Sequence, residues 1–199
     1  MPTSRRRRRL VAKLGCDVHL KVEVRDSSGV WNNVPFVDDW DIEHHKRPVP
    51  EGGIILKRLD DRNYNMFAVL ADVRNGTWSD KIPPISQPRG LPEEHADYDD
   101  NSYGFGDHSF SWLTLRELQD YDWNQTITNR GYVSDAQVAE LKGGKKPTSY
   151  AGWSSSGQQV TWVDTVGGMV GEDVFEDLNT LAKLAANPDD VRLVFGFDS

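Results

Sequence analysis

Asp17 and His19 stand two residues apart in Gly15-Cys16-Asp17-Val18-His19-Leu20-Lys21-Val22-Glu23-Val24-Arg25, the clearest chemical signal in the chain. Successive strand side chains alternate between faces, so a carboxylate and an imidazole at this spacing project the same way. Such a pair can ligate a divalent ion. A second pair, Asp107-His108, would complete a set of two nitrogens and two carboxylates suited to Zn, Mn or Fe, with positions left for water. The spacing is not a diagnostic signature such as H-E-x-x-H. The competing reading makes Asp17, His19, Lys21 and Glu23 a solvated sheet face, with His108 capping the following helix.

An anion site is the second candidate. Arg89 lies in Pro88-Arg89-Gly90-Leu91-Pro92, and Ser109 and Ser111 are read as hydroxyls beside free N–H groups at a helix start, an arrangement suited to phosphate. Arg62 and Arg74 are further cations near helix ends, and His19 with the Trp and Tyr residues could stack on a base. The competing readings have Arg89 tying down its own loop and Arg74 at a helix C-terminus, where the dipole favours a cation. The pocket is expected over the polar strand face, among Asp17, His19, Arg89 and His108. No Walker-type loop, Rossmann fingerprint or G-x-S-x-G elbow is present, and the single Cys16 falls on the apolar side of its strand.

The elements that must position these residues follow from periodicity. Cys16, Val18, Leu20, Val22 and Val24 form the apolar side of the opening strand. Asp26-Ser27-Ser28-Gly29 turns it into a hairpin with Val30–Val34. Ile54-Ile55-Leu56 reads as a brief strand, and Pro35 to Glu51 as a polar excursion without period. A buried helix is predicted over Asn63–Arg74, with Asp61 or Asn63 as N-cap and Asn75-Gly76 as its stop. Thr114-x-x-Glu117 and Ser134-x-x-Gln137 are capping boxes opening two further helices. Val174, Leu178, Leu181 and Ala185 mark a third, ending at Asn187-Pro188. Gln158–Asp164 and Val191–Phe197 read as strands, the latter centrally placed and beside the opening one. The expected fold is a single α+β domain over 15–199, a mixed or antiparallel sheet with helices on its apolar face and a long acidic loop around 77–111. Residues 1–14 are expected to form a disordered Arg-rich tail.

Composition narrows the classes. Of 199 residues 37% are hydrophobic and seven are Trp, too much large apolar surface for a disordered chain. No apolar run approaches the roughly 18 residues a membrane helix needs. Without Arg5–Arg9 the 23 basic residues fall to 18 against 31 acidic ones, about −13, so specific nucleic-acid binding is not expected apart from that tail. Glu93, Glu94, Asp97, Asp99, Asp100 and Asp107 form an acidic run that could imitate a phosphate track or simply solubilise the loop. One cysteine excludes an internal disulfide and fits a reducing cytosol.

The Gly15-Cys16-Asp17-Val18-His19 motif, the run Arg62–Gly76, Pro84–Pro92, His108–Thr114 and the closing Asp190–Asp198 together resemble a family of uncharacterised proteins from tailed bacteriophages and prophages. The resemblance covers most of 15–199 and leaves 1–14 as an extension. It implies a phage origin and action in the bacterial host cytoplasm, and it brings no activity. The function expected is that of an accessory protein binding a nucleotide-like or phosphorylated small ligand, or a host defence protein. The alternatives are a metal-dependent phosphoester hydrolase using Asp17, His19 and His108, and a virion or assembly component whose Arg tail contacts the genome.

Overall fold

The computed structural model describes residues 15–94, 102–152, 154 and 156–198. Arg5–Arg9 and the acids Asp97, Asp99 and Asp100 lie outside the described residues. The fold is α+β, built on a four-stranded antiparallel sheet. Its strands are β1 (Asp17–Arg25), β2 (Trp31–Val34), β5 (His108–Thr114) and β8 (Val191–Asp198), in the order β2-β1-β8-β5. The last strand does lie beside the first, with Asp17 opposite Asp198 and Val24 opposite Val191. Every β8 residue from Val191 to Phe197 is buried, as a central strand covered on both faces requires.

The apolar alternation of β1 sets which face becomes the core. Val18, Leu20 and Val22 share it with Leu193, Phe195, Phe197 and Leu113. Over them packs α2 (Tyr64–Ala71), whose residues Met66 to Ala71 are all buried. Also packed there are α3 (Leu115–Asp120), α5 (Val166–Val170) and α6 (Glu172–Leu181). Asn63 caps α2, its Oδ1 accepting from Met66 N at 3.2 Å, while its Nδ2 donates to Val170 O at 2.8 Å and so fastens α2 to α5. The helix ends at Ala71 with Asp72 in the left-handed region, three residues before the predicted stop, because the Asp72 N–H closes back on Ala68 O and Phe67 O.

Both capping boxes form as read. Thr114 and Glu117 open α3, and Ser134 and Gln137 open α4 (Asp135–Lys142). Buried Asp177 on α6 accepts from the N–H groups of Lys57, Arg58 and Leu59 at 2.7, 2.8 and 3.0 Å. That bond set holds the exit of β4 (Ile54–Leu56), which pairs in parallel with β3 (Phe36–Asp38).

Three segments differ from expectation. The excursion from Pro35 to Glu51 contains β3 and a short helix, α1 (Asp39–His45), which has no buried residue and therefore no apolar period. Thr126–Val133 is a strand, β6, forming an antiparallel hairpin layer with β7 (Gln158–Thr165). His108–Thr114 is strand β5 rather than a helix start, so Ser109 and Ser111 do not flank free helical N–H groups. A bulge between His108 and Ser111, with Ser109 at φ 53°, breaks its two-residue period. Among the described residues no helix is long and apolar enough to cross a membrane.

Candidate functional site

Asp17, His19, Glu23 and Arg25 on the ionisable face of β1 are each paired with a residue from another part of the chain. Arg62 grips Asp17 with both Nε and Nη2, at 2.7 and 2.8 Å, and the hydrogen bond to Asp17 holds the guanidinium pKa above its usual value. His19 Nε2 lies 3.2 Å from Asp198 Oδ2 on the neighbouring strand. Farther along, Glu23 Oε2 accepts from Arg192 Nε at 2.6 Å in a pair that is 0% and 4% exposed. The Arg192 guanidinium lies 3.7 Å from the Trp31 ring centroid and 5.7 Å from that of Trp112. It also donates to the backbone O of Glu94, the second residue of the acidic run. Glu23 and Arg192 thus make a dry, internally neutralised layer at the far end of this face, while Asp17, His19 and Arg25 stay solvent-accessible beside their partners.

The expected pocket is not assembled. His108 is paired opposite Phe197 and stacks on its ring at 6.0 Å, on the core side of the sheet, whereas His19 is opposite Gly196 on the outer side. Asp107 donates its N–H to Phe197 O at 2.7 Å. His108 Nδ1 is 2.9 Å from Ser109 Oγ. Among the described residues no three His, Cys, Asp or Glu side chains come together to hold an ion, so Asp17, His19, Asp107 and His108 do not form the suggested ligand set.

Arg89 and Ser111 do meet. The Arg89 N–H donates to the buried Ser111 Oγ at 3.2 Å. The Arg89 side chain pairs with both Glu117 oxygens and lies 4.9 Å from the Trp112 ring centroid. Burial works to raise the Glu117 pKa, but Arg89 and the Thr114 N–H outweigh it and hold the carboxyl below its usual range. The arginine is therefore tying its own loop to β5 and α3, the competing reading of the sequence.

A cavity of about 250 Å³ lies elsewhere, between α2, the turn after it and the β6–β7 layer. Its rim carries Tyr64, Trp78 and Tyr150, each about half exposed at 38%, 46% and 44%. Arg74 lines it beside Tyr64, 5.9 Å from that ring's centroid, and its Nη2 donates to Gly15 O at 3.0 Å. On its lining, Asn129 is 2% exposed. The Asn129 Nδ2 reaches Ile127 O and Met169 Sδ only at 3.5 Å, long contacts that a ligand acceptor would readily replace.

Local sequence explains how the cavity is built. The turn after α2 uses three left-handed residues, Asp72, Arg74 and Gly76, at φ 58°, 56° and 79°. Arg74 is costly there, since a side chain disfavours this region by roughly 1–2 kcal/mol. Asn75 fixes the turn, its Nδ2 donating to Ile82 O and its Oδ1 accepting from Ile82 N, at 2.7 and 2.9 Å. Residues 78–80 then run along β6, with Arg130 N donating to Trp78 O and Asp80 N to Thr128 O, both at 2.8 Å. Gly152 and Gly131 let rings lie on backbone: a Cβ at 152 would strike the Trp78 indole, and one at 131 would come within 2.8 Å of the Tyr150 ring.

Arg74 was among the cations noted in the sequence; Trp78, Tyr150 and Asn129 were not singled out. Their only sequence signals are the surplus of Trp and Tyr and the glycines that face them. No protein-family profile matches the chain, and neither a curated protein nor a solved structure does.

Proposed function

We propose that the chain is a non-enzymatic binding protein whose ligand is a small nucleotide-like anion, held by its ring in the cavity of Tyr64, Trp78 and Tyr150. The observation that carries this reading is the convergence of three half-exposed aromatic rings with an arginine on one concavity. Large rings are usually buried or scattered, and a cluster around a hollow marks a stacking site. At about 250 Å³ the cavity sits just under the roughly 300–1,000 Å³ of drug-sized sites, so it suits one heterocycle with the remainder projecting. Arg74 supplies the charge for a phosphate, and Asn129 an amide for a ring edge. An arginine held in an unfavourable backbone region at a cavity is the kind of outlier that accompanies binding sites.

The resemblance to phage proteins suggests where such binding would act, as an accessory function in an infected cell's cytoplasm that withdraws a phosphorylated ligand from a host defence pathway. The test is a thermal-shift series with nucleoside mono- and diphosphates and cyclic nucleotides. At a hundredfold excess over Kd, binding adds about 2.7 kcal/mol, which for a chain of this size is roughly 5–10 °C in Tm. Trp78→Ala and Arg74→Ala should each remove most of the shift. No shift with any nucleotide at millimolar concentration would refute the reading.

A further inference from the structure

A second hollow, of about 530 Å³, also has Tyr150 in its wall. Tyr132, Ser134, Asp135, Gln137 and Ser149 are among its walls, so it sits where the end of β6 meets the start of α4. Its backbone frame is fixed. Tyr132 and Ala151 exchange N–H···O bonds in both directions, at 2.8 and 3.0 Å, and the Tyr150 ring rests on Gly131 and meets Trp162 edge-on at 4.8 Å. The chemistry of the walls differs from that of the first cavity. Among the described residues they contain one carboxylate and no lysine or arginine. A phosphate or carboxylate ligand would enter without a counter-charge and against Asp135.

The polar groups are hydroxyls already orientated by the protein. Ser149 Oγ accepts from Gln137 Nε2 at 3.3 Å, and Ser134 Oγ from Gln137 N at 3.5 Å. Asp135 Oδ1 accepts from Gln158 Nε2 at 2.5 Å. A hydroxyl that accepts from the protein still has its own O–H to donate, so the serines present donors and Asp135 an acceptor to whatever fills the hollow. Beside them Tyr150, 44% exposed, offers an apolar ring face. Alternating donors and acceptors next to one aromatic face, without positive charge, complement a ligand that is itself uncharged, rich in hydroxyls and apolar on one side.

We infer that this hollow is a separate binding site for a neutral saccharide, its C–H face on Tyr150 and its hydroxyls on Ser134, Asp135 and Ser149. Among the described wall residues it shares only Tyr150 with the first cavity, and the hydroxyls and Asp135 belong to this hollow alone. Because so open a site holds its ligand through exchangeable hydrogen bonds, binding should be in the millimolar range for a monosaccharide and tighter for a disaccharide.

The experiment is saturation-transfer NMR and calorimetry on the full chain with glucose, galactose, mannose, N-acetylglucosamine and their common disaccharides. At least one should bind, with roughly tenfold loss in Asp135→Ala and in Tyr150→Ala and a smaller loss in Ser149→Ala. Its 6-phosphate should bind more weakly than the neutral sugar. Absence of binding by any sugar, binding unchanged in all three variants, or tighter binding of the phosphate would each overturn the assignment. Trp78→Ala should leave saccharide binding intact while abolishing the nucleotide shift, which keeps the fates of the two sites apart.

Discussion

Replacing Glu23 by alanine should be among the most damaging changes possible on the outer face of the sheet. The Glu23 side chain is fully buried, and the guanidinium it neutralises is 5% exposed. Removing the carboxylate leaves Arg192 charged, dry and between two indoles. Breaking a buried pair from one side costs about 3–5 kcal/mol, and the cation–π contact at 3.7 Å from Trp31 recovers no more than about 2 of it in the intact protein or the variant. Against a total stability of roughly 5–15 kcal/mol, such a loss lowers Tm by about 6–20 °C. Removing both charges is different. Glu23→Leu with Arg192→Met exchanges the pair for apolar volume and should cost far less than Glu23→Ala alone, because desolvation of both ions disappears with their attraction. Urea unfolding followed by Trp fluorescence is the natural assay, since Trp31 and Trp112 stack on the perturbed group. The loss should be nearly the same at low and at high salt, as a buried pair is poorly screened. A cost for Glu23→Ala of about 1 kcal/mol or less, or one that vanishes with salt, would show that water reaches this layer and would defeat the argument.

Two further outcomes follow from local geometry. Asp60 has an Oδ1 buried without a hydrogen-bond partner, and burial, then repulsion from Asp38, Asp177 and Asp61, raises its pKa from the usual carboxylate value to about 7. The folded chain therefore holds this proton more tightly than the unfolded one. Asp60 favours folding most below about pH 4, and stability falls between about pH 4 and 7 by roughly 2–4 kcal/mol. Asp60→Asn should flatten that slope in urea midpoints measured across the window, and parallel curves for the two proteins would contradict it. Gly196→Ala would drive a Cβ into the Phe105 carbonyl oxygen and to 2.7 Å from the Phe110 ring, costing about 3 kcal/mol; a Tm within 1 °C or so of the parent's would show that those segments yield freely.

The legible parts of the fold are those in which one local rule operates alone. The alternation in β1, the two capping boxes and the apolar run of α2 each specify an element without knowledge of its neighbours, and each is found. The illegible parts need long-range information. The α1 helix buries nothing, so no period marks it. In β5 the left-handed Ser109 interrupts the pattern, while in β6 Asn129, Arg130 and Gly131 look like a turn. The polar face of β1 was visible as a row of charges, but their partners were not. Asp198, Arg62, Arg192 and Asp190 come from positions between 45 and 181 residues away, and spacing within one strand says nothing about them. A row of ionisable groups on a strand signals chemistry only when the facing elements leave it open.

That distinction also explains why the candidate site lies off the main sheet. Among the described residues both faces of β8 are covered, one by helices and the other by Trp31, Trp112 and the buried ion pair, and Val191 to Phe197 are all buried. The β6–β7 layer has the opposite character. Outside its own hairpin, the β6 backbone is bridged to Ser79 and Ala151, and two of the rings that line the first cavity, Tyr150 and Trp78, rest on Gly131 and Gly152. A ring seated on a glycine keeps one face against backbone and the other free, an arrangement that wastes apolar area in a structural role and supplies it in a binding role. The same peripheral position makes the layer the cheaper one to shift, since its strands carry few of the buried core residues. The buried core is concentrated in β1, β8 and α2, and the proposed binding surfaces lie where their adjustment would not disturb it.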